Sequence, residues 1–187
     1  PHDSGRLIAD IYYLIEALHL LDAPLEVDKA ALIKLLEDLS IEPGYVVGSY
    51  AELEMSPPLD GSSFVLVPTI HALTIFERID ATPKHADAII TEMSRLWDIE
   101  MAKAQPDIKQ LSGYYQILTT LVDDLSRYDL GDLNDPKYHH YDSPLATAYN
   151  MVLLAQLLDA EVALDPAVLD TLSASQNPDG GFGFDLD

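Results

Sequence analysis

The chain has 187 residues, long enough for one domain with a sizeable core. Its 32 Asp and Glu against 10 Lys and Arg leave a formal charge of −22, a field that repels phosphate backbones and anionic headgroups and argues against unaided binding to nucleic acid or a membrane surface. The 48% hydrophobic share is too large for a solvated acidic tail, and the lack of any cysteine removes disulfides, thiolate zinc sites and thiol catalysis together.

No apolar run approaches the roughly 20 residues of a membrane span. The opening Pro1-His2-Asp3-Ser4-Gly5 has no basic region of the signal-peptide kind. The chain closes on Gly183-Phe184-Asp185-Leu186-Asp187, just after a turn signal. A soluble piece of a longer protein is expected, with 1–187 forming a single domain.

The hydrophobic period is helical nearly throughout. A first helix is expected from about Ser4 to Leu21, with Leu7, Ile8, Ile11, Leu14, Ile15, Leu18 and Leu21 at three- and four-residue steps. Ala23-Pro24 breaks it, and Asp28 can cap a shorter helix carrying Leu32, Leu35, Leu36 and Leu39. Residues 41–63, with Pro43, Gly44, Gly48, Pro57, Pro58 and Gly61, read as a long irregular connection. Helices are then predicted over Val65–Ile79, Pro83–Lys103 and Pro106–Tyr128, and a second irregular stretch over 129–142. Ser143-Pro144 and Asp165-Pro166 start two more, because proline suits a first helical turn. Val and Ile sit inside helical stripes without alternation, so no sheet is expected.

The chain also repeats itself. Leu20-Leu21-Asp22-Ala23 recurs as Leu157-Leu158-Asp159-Ala160, an offset of 137 residues. At that offset, without a gap, Ala9 meets Ala146, Tyr12 meets Tyr149, Asp28 meets Asp165, Leu32 meets Leu169 and Gly44 meets Gly181. Asp80-Ala81 is a third copy of the Asp-Ala pair, again between a long helix and a proline-started one. Each unit reads as a long helix, a tight turn, a shorter helix and a Gly-aromatic loop.

The sharpest string is Gln176-Asn177-Pro178-Asp179-Gly180-Gly181-Phe182-Gly183, whose Pro-Asp-Gly-Gly core is turn chemistry. Joined to Ser143-Pro-Leu-Ala-Thr-Ala-Tyr149, it resembles the repeat shared by terpenoid cyclases and protein prenyltransferase β subunits. Gly-Gly-Phe-Gly-Phe-Asp-Leu-Asp is also similar to the Gln-Trp motif of squalene-type cyclases. The likeness is strongest over 143–184 and weakens over 4–50 and 64–104. It implies an all-α chain of αα-hairpin repeats forming a partial or small α/α toroid, with Gln176, Gly180, Gly181 and Phe182 as the structural repeat loop. It also implies a central apolar cavity. The family's catalytic motifs do not carry over. Its prenyltransferase zinc site needs a cysteine, and its class II cyclase acid, Asp-x-Asp-Asp before Thr-Ala, is replaced here by Ser143 to Ala146 ahead of Thr147-Ala148.

Other residues admit two readings each. Asp123 and Asp124, with Asp129 beyond, could hold Mg²⁺ and a diphosphate, or form a solvated acidic helix end. His139 with His140 and Asp142 could ligate a metal, or be surface-loop histidines. His19 and His71 lie on apolar helices, where a hydrogen-bonded helix-face histidine is the default. Tyr12, Tyr114, Tyr115 and Tyr149, together with Tyr13, Phe76 and Trp97, could line an apolar cavity or pack between helices. No metal site or cofactor is predicted, Mg²⁺ being the one ion the Asp123 reading would use.

Three functions follow in order. The first is a cyclase- or prenyltransferase-like domain binding an isoprenoid or other apolar ligand without the recognisable catalytic motifs. The second is a non-catalytic module making contacts within a larger protein. The third is a metal-dependent enzyme using residues 123–142. Open repeat arrays expose apolar ends, so the remainder of a parent chain or a second copy is expected to cover them.

Overall fold

The computed structural model describes residues 4–41, 45–46, 63–138 and 144–174, and over these the fold is all-α. Its α-helices are, in order, α1 (Ser4–Leu20), α2 (Lys29–Asp38), α3 (Ser63–Arg78), α4 (Ala86–Met101), α5 (Ile108–Leu121), α6 (Pro144–Leu158) and α7 (Pro166–Ala174). A 3-10 turn, Pro136–Tyr138, precedes α6. Among the described residues the expected absence of strands fails only at Ser40–Ile41 (β1) and Tyr45–Val46 (β2), which pair antiparallel over two residues each. So short a ladder makes no layer.

Local chemistry sets the helix ends. Asp28 caps α2 by accepting from the Ala31 amide at 3.1 Å, and Asp107 caps α5 by accepting from the Lys109 amide at 2.9 Å. Helices α1, α3 and α6 end in one common way. Asp22, Asp80 and Asp159 take φ values of 50°, 54° and 51°. The amide after each bonds the carbonyl five residues back: Ala23 to Leu18, Ala81 to Phe76 and Ala160 to Ala155, all at 2.9 Å. This is the Schellman cap, with aspartate where glycine is usual. The three Asp-Ala strings are thus one backbone device used three times, and they align α1 with α3 and α6 at offsets of 58 and 137 residues.

The capped helices pack in sequence. Helix α1 lies on α3, α3 on α5 and α5 on α6, while α4 runs along α5 and α7 rests on α6. Helix α3 is the wall between two cores. Its Ala72, Ile75 and Phe76 join Ile8 and Ile15 of α1 and Leu36 of α2. Its Leu66 and Leu73 join the larger cluster built on α4, α5 and α6, around Met93, Trp97, Leu111, Ile117, Met151 and Leu154. Gly113 of α5 makes that approach close, since a Cβ there would stand 2.8 Å from Leu66 Cδ1.

The sequence expectation for α5 needs correction. The helix stops at Leu121 rather than Tyr128. Beyond it, Asp124, Asp129, Asp132 and Asp135 each accept the amide two residues ahead, at 3.0, 2.7, 2.9 and 3.0 Å. Such turns offer the backbone a side-chain partner that competes with the helical one. Gly131 adds a φ of 65°. The resulting segment, 122–138, is irregular up to the 3-10 turn. Its Tyr128, Leu130, Leu133 and Tyr138 are buried in the larger core. The Tyr138 hydroxyl donates to the Leu130 carbonyl at 2.8 Å, and Asn134 accepts from the Ala163 amide at 2.7 Å, tying the segment to the turn before α7.

Candidate functional site

Helix α3 has one side that faces neither core. Val67, His71, Thr74 and Arg78 recur along it at helical spacing, partly or well exposed. Helix α1 brings Tyr12, Tyr13 and Glu16 to the same side. The Arg78 guanidinium grips Glu16 with two bonds, Nε to Oε1 at 2.7 Å and Nη2 to Oε2 at 3.3 Å, a planar fork that fixes α1 against α3. Beside it Tyr12 stacks on His71, with ring centres 4.1 Å apart and planes 13° from parallel. Tyr13 sets its edge toward both rings, at 5.2 Å from Tyr12 and 5.7 Å from His71.

The electrostatics follow from this packing. Burial removes water from the imidazolium, so the His71 pKa falls below its ordinary value and the ring is neutral at pH 7. The hydrogen bond from Arg78 holds the Glu16 carboxyl below the usual carboxylate range. The Tyr12 phenol is pushed up, first by burial, then by the Glu16 carboxylate and by the phenols of Tyr13 and Tyr149, with Arg78 opposing. Tyr149 belongs to α6, at the far end of the helix row. It is the residue that the 137-residue offset equates with Tyr12. Tyr149 is also 66% exposed and Tyr13 63%, so the rings are open to a ligand.

Tyr114 and Tyr115 lie elsewhere, 1% and 4% exposed within the larger core, where Tyr115 packs against Trp97 at 5.9 Å. Asp123 and Asp124 are exposed on the turn after α5 rather than on a helix. The Ser126 hydroxyl and amide, bonded to Asp124, lower its pKa. Among the described residues no three His, Asp or Glu side chains stand together as a metal cage. His139, His140 and Asp142 fall outside the described residues, as do Gln176, Gly180, Gly181 and Phe182. A separate small opening, of about 20 Å³, lies among Leu36, Thr69, Leu73, Phe76, His85 and Ile89. The Ser40 hydroxyl, which also lines it, is buried with no hydrogen-bond partner among the described residues.

Known proteins add nothing to this geometry. No family model, curated protein or solved structure matches the chain.

What the aromatic face can do must therefore come from its own chemistry. The rings of Tyr12 and Tyr13 and the neutral His71 imidazole present π-faces that suit apolar or cationic groups. A neutral His71 can exchange a hydrogen bond with a ligand hydroxyl, whereas a buried imidazolium would demand an anion. Sequence reasoning named Tyr12 and Tyr149 as partners in a repeat, but it missed Glu16 and Arg78. A signal was present: Tyr12 and Glu16 are four residues apart on α1, and His71 and Arg78 are two turns apart on α3, so each pair shares a helix face.

Proposed function

We propose that the chain is a hairpin-repeat domain of the terpenoid-cyclase and prenyltransferase kind that binds a neutral apolar small molecule against Tyr12, Tyr13, His71 and Tyr149. It carries no catalytic motif of that family in this segment. The observation that supports the reading is the aromatic face itself, where Tyr12 stacks on His71 and Tyr13, 63% exposed, stands edge-on to both. In a toroid the corresponding faces of successive first helices turn toward a shared interior, which is where a ring lined by repeat-equivalent tyrosines belongs.

Charge narrows the ligand. A protein at −22 repels a diphosphate, and Arg78 at the face is already committed to Glu16. A prenyl alcohol suits the site better than a prenyl diphosphate. Farnesol should raise the melting temperature and bind saturably by calorimetry, and farnesyl diphosphate should bind more weakly. Tyr13→Ala and Tyr149→Ala, both at exposed positions, should each cut farnesol affinity about tenfold, the worth of one lost ring contact near 1.4 kcal/mol. Absence of stabilisation by any prenyl compound, or equal binding by both variants, would remove this reading.

A further inference from the structure

The threefold Schellman register compares α1, α3 and α6 position by position, and one side of α1 stands apart. In α3, Ala72, Ile75 and Ile79 are 0%, 0% and 1% exposed, and Ala72 and Ile75 sit in the cluster shared with α1, the first helix before it. In α6, Met151 and Leu154 are 1% and 0% exposed within the cluster that holds α5, again the preceding neighbour. The equivalent residues of α1 are Leu14, Ala17 and Leu21. Leu14 is 60% exposed and Leu21 76%, and Leu7, two turns before Leu14 on the same side, is 37% exposed. A face that takes a helix in two copies is bare in the third.

We infer that this side of α1 is a docking surface for a basic amphipathic helix of a partner protein. The shape of the occupant comes from the register, since what covers the equivalent stripes of α3 and α6 is in both cases an α-helix lying alongside. The charge comes from the surroundings. Asp22 and Glu26 stand exposed at the end of the stripe, and the whole chain carries −22. A helix with leucines toward Leu14 and Leu21 and lysines or arginines at its margins meets both demands. A second copy of this chain would bring another −22 to the contact and is the poorer occupant. The stripe shares no residue with the aromatic face, so the two sites stand or fall separately.

The test uses the whole chain and a Leu/Lys amphipathic helical peptide, with a scrambled peptide of identical composition and a Leu/Glu version as controls. The basic amphipathic peptide should bind one to one, weaken with added salt, and shift backbone amide resonances along α1. The scrambled and acidic peptides should bind at least about tenfold more weakly. Leu14→Asp with Leu21→Asp should reduce affinity for the Leu/Lys peptide at least about tenfold while the circular dichroism is unchanged; the Leu14→Gln, Leu21→Gln pair gives the same reading with less charge. Equal binding by the scrambled peptide would overturn the inference, as would an unaffected double variant. So would a dimer seen by light scattering that the double variant dissociates, because the occupant would then be a second copy.

Discussion

Replacing Asp80 with glycine should stabilise the protein. Asp80 holds φ at 54°, a left-handed conformation in which a Cβ crowds the carbonyl and which only glycine adopts freely. Its carboxylate also sits at a helix C-terminus, where the exposed carbonyls already carry negative potential. Relief of the Cβ contact and removal of the charge together are worth about 1–2 kcal/mol, against about 0.4–1 kcal/mol of extra unfolded-state freedom for glycine. A net gain of about 0.5–1 kcal/mol is expected. Asp22 and Asp159 share the geometry to within a few degrees, lie on different hairpins and should respond alike. The triple variant, its formal charge raised from −22 to −19, should gain about 2 kcal/mol if the sites add. For a chain of this length that is a rise in melting temperature of about 4–8 °C. The assay is urea denaturation followed by far-ultraviolet circular dichroism, with a calorimetric scan beside it. Asp80→Val is the control: a β-branched residue held at the same φ should lose about 1–2 kcal/mol. If the glycine variants prove neutral or weaker while Asp80→Val costs nothing, the three turns are not strained caps and the repeat register built on them falls.

Other consequences are separately measurable. The Glu16 pKa is lowered by Arg78, so the pair's stabilisation is present above the unfolded carboxyl pKa and fades as pH drops through the lower folded value. Glu16→Gln should therefore cost about 1 kcal/mol at pH 7 and nothing in strong acid, as read from denaturation curves at a series of pH values. His71 has the opposite chemistry. Its depressed pKa means that the unfolded chain takes up its proton first, so stability declines as pH falls from about 6.5 toward the folded pKa; His71→Phe, which keeps a ring against Tyr12, should flatten that part of the profile. Tyr138→Phe removes the bond to the buried Leu130 carbonyl and should cost about 1–2 kcal/mol, with faster amide hydrogen exchange concentrated in 122–138.

Much of the helical plan could be read from residue spacing. Proline starts at Pro144 and Pro166 and the aspartate cap at Asp28 act within one turn of chain, and all three hold in the structure. The end of α5 was misjudged because Leu125 and Tyr128 continue a helical period. The competing signal, an aspartate two residues before each amide it accepts, is visible only when side-chain acceptors are weighed against backbone ones. At the aromatic face, the Tyr12–Tyr149 equivalence was legible as a repeat. The Glu16–Arg78 bond spans 62 residues and leaves no trace in local pattern.

The amino-acid sequence alone determined the all-helical class, the helix starts at Asp28, Pro144 and Pro166, the acidic composition and the threefold Asp-Ala turn, because each depends on composition or on interactions within a few residues. The tertiary structure decided which tyrosines face outward and which are core. Tyr13 and Tyr149 stand exposed while Tyr114 and Tyr115 are sealed in the larger core, although all four sit on helices. It also decided that Leu14 and Leu21 stay exposed while their repeat equivalents are buried. Burial depends on what packs alongside a helix, and that neighbour is supplied by a distant part of the chain.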